Sequence, residues 1–535
     1  MSNSRNTNIN NNPFVIIPDP GTETKPGDIW GAGATEKTYE VNKFDPSTAD
    51  SDLSYTPGRV AKNLFNHYEP IPGFEVFGYL SDWGIYDSRY GNAPGDTNVD
   101  YKEGGRGTNI MRLLDENSPL PYFDRIVVGF AGIIGDEGLK KETINQAAID
   151  FKIASSVGDL PNHKGEATFT DYWGDTGAYL NCGFPGWKET DFTPENAQGV
   201  LGALVKLHKK YPEMPIGLSL GGWSMSQAFH FIAKEPELRQ RLAKSLKKIF
   251  DLFPMFTDLD IDWEYPNYKG EDHNSYDEED PENFAELIKE IRKELPDITI
   301  SIATIAVPAG LEAANIPLLL EAGVDKLNVM TYDFFGTPWA ETLGHHTALK
   351  LNPDKEETQN SVDKAVNYLV DKLHVEPKKI NIGYAGYTRN AQQASIPSIS
   401  PIYGRYTPRG NIALGSFESG TTEWPDLLRN YLDSNMDGIN GFTVYTDEVA
   451  KAEFLYNQES RLFMSLDTPY SVKEKAKYVK EKGLGGMFIW MIDHDNGLLT
   501  NAAREGLGAT TVGTPLVDMT PLCLSAAEKA KNKTK

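Results

Sequence analysis

Cysteine is nearly missing from this chain: Cys182 and Cys523 are the only two among 535 residues. Two cysteines build no disulfide framework, and they read as two ordinary thiols. Positive charge is also in short supply. Lys and Arg number 52 against 76 Asp and Glu, for a formal net charge of −24. A phosphate backbone attracts a basic face, so this balance argues against nucleic acid as a partner and against anionic membrane surfaces. It suits a protein that acts on neutral material. No stretch approaches the roughly 18 consecutive apolar residues of a membrane span. The opening MSNSRNTNINNN has no apolar core of the kind a secretory signal peptide carries. These features together lead to the expectation of a protein that is cytoplasmic, or exported by a route without a cleaved signal.

The chain is long enough for one large domain with additions, and its 39% hydrophobic and 24% charged content is that of a globular protein. Residues 1–70 are rich in Asn, Gly, Pro, Thr and Asp without sustained periodicity, and read as a polar leader. From Gly73 onward, β-rich apolar runs alternate with helical patterns. The runs are 74–80, 125–133, 215–223, 257–265, 298–307, 326–334, 379–387 and 485–493. Each is nearly continuous in apolar residues, as strands covered on both faces are. Between them, Phe284, Leu287, Ile288, Ile291 and Leu295 recur at helical spacing with Asp280 placed to cap. Ser471 and Glu474 form a capping-box pattern before a helix that Gly483 can close, and Thr193–Pro194 can open another. Eight strands alternating with helices predict an α/β fold, a closed (β/α)₈ TIM barrel over 71–510. The connection 134–192 is expected to be an elaborated loop, 390–470 a small inserted α+β subdomain, and 511–535 a frayed C-terminal tail.

The stretch DLDIDWEYP (258–266) is the chain's chemical signature. Alternate residues of a strand share a face, so Asp258, Asp260, Asp262 and Glu264 form one row and Leu259, Ile261 and Trp263 the other. The outer face of a barrel strand meets helices, which sends the acids inward. Buried carboxylates crowded together raise each other's pKa and share protons. Charge on Asp262 would then hold a proton on Glu264, at the strand end where barrel active sites assemble, and make it a general acid. Two carboxylates on one strand approach a glycosidic bond from one side, whereas the usual catalytic pairs flank it about 5 to 9.5 Å apart. A lone acid needs another nucleophile, and a substrate acetamido group can serve.

This stretch resembles the D-x-x-D-x-D-x-E signature of glycoside hydrolase family 18, the chitinase family. SLGGW (219–223), MTYDFFGTPW (330–339), GYAGYTR (383–389), GGMFIW (485–490) and FGYLSDWGIY (77–86) resemble the family's other strand motifs in the same order. The resemblance spans roughly 74–507. It implies Glu264 as proton donor, Asp262 as the residue that orients the acetamido group and stabilises the oxazolinium intermediate, and Asp260 as the inner partner sharing its proton. It implies Tyr332 as hydroxyl donor to the acetamido oxygen, with Met330 and Asp333 around the same sugar. Ser219 and Tyr79 match polar partners of the inner aspartate, Trp490 the floor under the distorted sugar, and Arg389 a polar contact to the chain. No metal or cofactor is implied. One departure stands out: Thr257 and Asp258 occupy the places of the motif's first Asp and its usual Gly, so Asp258 is expected to add an inward acid low in the barrel.

Trp83, Trp223, Trp339 and Trp490 fall at or just past strand C-termini, where rings can stack on the apolar faces of a β-linked GlcNAc polymer; Phe130 joins them among the expected substrate contacts. The acidic segment GEDHNSYDEEDPE (270–282) lacks EF-hand spacing and reads as a solvated loop, not a calcium site. His345 and His346 read as structural, and no other His stands at metal-ligand spacing in the sequence. The expectation is an endo-type, retaining chitinase acting on chitin and chitooligosaccharides. Its rivals are an endo-β-N-acetylglucosaminidase on glycans and a non-catalytic chitin-binding subunit. The polar leader also resembles the situation of chitinase subunits attached to bacterial insecticidal toxin complexes, which implies toxin-complex subunits as partners.

Overall fold

The computed structural model describes residues 63–86, 110–151, 164–179, 181–188, 195–355, 358–407, 413, 415 and 420–533. The expectations for residues 1–62 and for a helix opened by Thr193–Pro194 lie outside this range. Eight parallel strands form the centre: β1 (Glu75–Ser81), β2 (Arg125–Ile133), β3 (Ile216–Gly221), β4 (Phe256–Asp262), β5 (Thr299–Ile305), β6 (Lys326–Met330), β7 (Ile380–Ala385) and β8 (Gly486–Trp490). Each pairs with its successor, and β8 closes on β1, giving the closed (β/α)₈ barrel. A two-residue strand, Ala167–Thr168, adds to β2 in antiparallel sense.

Strand parity sorts the side chains. Ile126, Val128, Leu259, Ile261 and Trp263 point outward into the large apolar layer shared with the helices. Phe77, Tyr79, Val127, Tyr332 and Phe488 pack together inside the barrel. The strands are shorter than the apolar runs that announce them. β4 ends at Asp262 and β6 at Met330, so Glu264, Tyr332 and Asp333 stand on the loops just beyond.

Between β7 and β8, a four-stranded antiparallel sheet is built from Phe442–Asp447, Ala452–Asn457, Leu462–Leu466 and Arg389–Ala391, with a short helix Trp424–Asn430. Its small core includes Phe335, Phe454, Tyr456 and Phe463.

Three local expectations need correction. The helix Pro469–Lys482 is capped by Thr468, whose hydroxyl pairs reciprocally with Ser471; Pro at the first position starts the helix three residues earlier than the Ser471–Glu474 pattern implied. Gly483 does close it, in the left-handed conformation. Asp280 is the first residue of the helix Asp280–Glu294 and caps nothing there. Its carboxylate instead accepts from the backbone of Asn267 and Asp277 and meets His230 Nδ1 at 2.8 Å. The tail does not fray: Met519, Leu522 and Cys523 are buried, and the helix Ala526–Lys533 follows. Asn66 holds Leu516 and Val517, and Ala526 N donates to Thr446 on the inserted sheet. Cys182 and Cys523 are each free and buried.

Candidate active site

The inward row of β4 runs up the barrel axis, and each acid meets a different layer. Gly217, Ser219 and Gly221 of β3 stand opposite Asp258, Asp260 and Asp262. Asp260 is buried and accepts four hydrogen bonds: from Tyr79 at 3.0 Å, Ser219 at 2.8 Å, Ser301 at 2.6 Å and Asn328 at 3.0 Å. Burial pushes its pKa up, and these donors pull against the rise.

Asp262 lacks such company. Its Oδ1 has no hydrogen-bond partner among the described residues. Burial first, then the charges of Glu264 and Asp260, drive its pKa well above the carboxylate range. Glu264, also buried, is raised to about 7, chiefly by burial and further by Asp333, against a hydrogen bond with Tyr265. Burial is thus the first cause that raises Glu264, and it raises Asp262 as well.

The backbone beneath these acids is pinned by residues that no motif marked. Glu264 N donates to Ser226 Oγ at 2.9 Å, and the same hydroxyl donates to Asp262 O and Gly222 O. Asn274 Nδ2 reaches Glu264 O at 2.9 Å. Both contacts are long-range in sequence or lie in a loop, so periodicity gave no sign of them.

Tyr332, at the mouth, is buried, and burial keeps its hydroxyl protonated and able to donate. Its neighbour Asp333, with φ near 58°, is held by Arg389 through two contacts of 2.7 Å and by the Tyr387 hydroxyl at 2.9 Å. Burial works against ionisation there, but the guanidinium outweighs it and depresses Asp333 well below the usual range. Arg389, expected as a contact to the sugar chain, is thus committed to Asp333 and donates also to Thr421. His346 stands beside Asp333, and His345 pairs with Asp447 at 3.1 Å.

Trp490 ends β8 half-exposed, with Met330 packed in the same inner layer. Its ring stacks at 5.8 Å on Phe130, which stacks at 6.2 Å on Trp83. Gly222, with φ near +90°, lets the Phe130 ring lie where a Cβ would be 3.0 Å away. Trp83, Trp223 and Trp339 expose 38%, 51% and 53% of their surface at the rim, with the Arg389 guanidinium 5.0 Å over the Trp339 ring. A further exposed pair, Trp173 and Trp187, with ring centroids 6.0 Å apart, was not singled out from the sequence.

Among the described residues, one His–carboxylate group has ligand atoms close enough for a metal: His230, Asp277 and Asp280. The sequence separation of more than 40 residues hid it. Lys234 Nζ sits 2.6 Å from Asp277, so a cation already fills that position and the donor set does not fit a resident ion.

A wall of graded acids beneath a half-exposed Trp, facing a tyrosine hydroxyl, suits proton transfer to a sugar oxygen. Residues 75–495 match the model of Glycosyl hydrolases family 18. The chain belongs to that family. It is 42% identical over 528 residues to Chitinase 1 of Yersinia entomophaga, covering 95% of each chain. It is 36% identical over 523 residues to Chitinase 2 of the same organism, covering 91% of this chain and 80% of that one. A crystal structure of a chitinase fitted into the Yersinia entomophaga toxin complex superposes with a TM-score of 0.82 at 42% identity, over 92% of this chain and 96% of that one. By family and by these relatives, the protein is a glycosyl hydrolase of the chitinase type.

Proposed function

We propose that the protein hydrolyses β-1,4-linked N-acetylglucosamine chains with retention of configuration, using the substrate's own acetamido group as nucleophile. Glu264 gives its proton to the glycosidic oxygen as the bond from that oxygen to the anomeric carbon breaks. The acetamido carbonyl oxygen bonds to the anomeric carbon, forming an oxazolinium ion. Asp262 orients the acetamido N–H and offsets the positive charge, Tyr332 donates to the acetamido oxygen, and Asp260 shares the proton of Asp262. Glu264, now a carboxylate, then takes a proton from the water that opens the ring.

The observation that carries this reading is the commitment of Asp333. A two-carboxylate mechanism needs a second acid free to attack or to activate water across the bond. Asp333 is locked to Arg389 and Tyr387, while Asp258, Asp260, Asp262 and Glu264 share one row. Glu264, buried at the end of that row and raised to about 7, suits a general acid. The stacked Trp490, Phe130 and Trp83 and the exposed Trp223 and Trp339 support an extended, endo-type binding groove. The test is cleavage of partly deacetylated chitosan. Every new reducing end is expected to be GlcNAc, with the β-anomer as first product by NMR; glucosamine ends or initial α-anomer contradict the mechanism.

The likeness to a chitinase fitted into a toxin complex supports a second role, as a subunit docked on such an assembly and carried out of the cell with it. Size-exclusion of the natively purified protein, with identification of co-eluting chains, tests this; a lone monomer in every preparation contradicts it.

A further inference from the structure

The inward acid added at Asp258 has a counterpart that the sequence did not reveal. Arg125 opens β2 on the same inner layer, side chain 1% exposed, with its guanidinium 3.8 Å over the Phe77 ring. It lies 3.5 Å from Asp258 and 3.5 Å from Glu75. Glu75 is further bound by Lys326 at 2.9 Å, and by Asn381 at 3.3 Å. Two cations and two acids therefore make up the barrel floor.

The geometry of Arg125 is unusual for a structural ion pair. Among the described residues its Nε and Nη1 make no hydrogen bond, and its contacts with both acids, the Nη2 bond to Glu75 at 3.5 Å included, are long. A bidentate pair would neutralise the guanidinium where it stands. Here the charge is shared loosely among neighbours, inside a dry barrel where fields carry further than in water. One layer up, about 6.6 Å along the strand from Asp258, sits Asp260.

We propose that Arg125 is a positioning residue for the reaction: from the barrel floor it is the counter-charge that keeps Asp260 ionised and the shared proton on Asp262, and Asp258 moderates its strength. This rests on the reading of Asp260, Asp262 and Glu264 given above. The groups facing Asp260 leave this part to Arg125. β1 offers the neutral Tyr79 hydroxyl, β3 and β5 offer Ser219 and Ser301, and β6 offers the amide of Asn328, which accepts in turn from Asn381 of β7. Lys326 is spent on Glu75, and Glu264 and Asp262 above are acids. The guanidinium charge acts on Asp260 in the lowering direction, alongside its hydrogen bonds.

The sign of the effect follows from charge. When Asp260 and Asp262 both carry protons, Asp262 can no longer offset the oxazolinium ion as a carboxylate, so their first ionisation sets the acid limb of kcat/KM. Arg125→Met is expected to move that limb up by about one pH unit, a roughly tenfold loss of kcat/KM below it. The basic limb set by Glu264 is expected to stay in place, which a merely structural lesion would not arrange. Asp258→Gly, which leaves more of the Arg125 field for Asp260, is expected to move the acid limb down by several tenths of a unit. Arg125→Met alone strands Asp258, so the comparison of Asp258→Gly with the Arg125→Met/Asp258→Gly double variant isolates Arg125 in a floor without the extra acid. Profiles are measured on a chromogenic chitobioside. An acid limb unmoved between those two variants, or an unmoved or raised limb in Asp258→Gly, overturns the proposal. Glu264→Gln serves as control: turnover in that variant would instead remove the underlying reading.

Discussion

Glu264 couples catalysis and stability through one proton. Its buried carboxyl, raised from 4.5 to about 7, delivers a proton only below that range, so activity is expected to fall as pH climbs through 7. Glu264→Gln keeps the shape but has no proton to give, and kcat should drop by at least about a hundredfold on chitin oligosaccharides. The same shift has a thermodynamic face. A carboxyl whose pKa is higher folded than unfolded favours the fold below the unfolded value, and that contribution is lost as pH rises through the folded value. The window here runs from about 4.5 to about 7. Glu264→Gln should therefore match the parent near pH 4.5 and exceed it at pH 8 by on the order of 3 kcal/mol. Urea titrations at the two pH values check this; a variant less stable at pH 8 would show that the burial of Glu264 carries no such cost.

At the level of elements, two junctions hold the site against its supports. Gly383 on β7 lies so close to Tyr332 that a Cβ would meet Cε1 at 2.5 Å and Phe488 Cζ at 3.0 Å. Gly383→Ala should push the Tyr332 ring aside, costing about 1–3 kcal/mol of stability and lowering kcat more than it changes KM. A raised KM with kcat unchanged would point elsewhere. The second junction is the start of the helix Pro469–Lys482. Thr468 caps it and also donates to the buried Glu453 of the inserted sheet, while Lys475 one turn on pairs with Asp467 at 2.7 Å, both fully buried. Thr468→Ala loses a cap worth about 0.5–2 kcal/mol and leaves Glu453 one donor short. Its urea midpoint should fall beyond a simple cap mutant such as Ser361→Ala, whose hydroxyl accepts from Lys364 N alone in its helix.

Over the whole molecule, residues 64–68, which lead into the first barrel strand, are joined to the segments that follow the last one. Leu64 N bonds Asn496 O, Tyr68 bridges Thr511, and Asn66 gathers Leu516, Val517 and Asn501. The tail then crosses to the inserted sheet, where Lys529 reaches Met436 O at 3.2 Å. Ending the chain at Gly508 should lower stability by at least about 3 kcal/mol, from the loss of the buried Met519 and Leu522 alone, while turnover at 25 °C persists because no site residue lies there. A thermal midpoint unchanged by that truncation would return the tail to the frayed end its Lys-rich composition suggests.

The barrel and its acid row were legible in the residues because both are periodic. Near-continuous apolar runs alternating with helical patterns announce the strands, and DLDIDWEYP writes the inward face as every second residue. The rim Trp residues and the acids follow from that parity and from their position at strand ends, whereas Tyr332 came from the resemblance of its strand motif to the family's. What the tertiary structure decided depends on partners far apart in the chain. Ser226 under Glu264, Arg389 on Asp333 and Arg125 beside Asp258 come from different strands or loops, and no local pattern marks them. The protonation order was also invisible, since it turns on how many donors each acid meets. Asp260 has four and Asp262 Oδ1 has none among the described residues, although the two alternate along one strand. Periodicity sets which way a side chain points; burial and distant charges set what it does there.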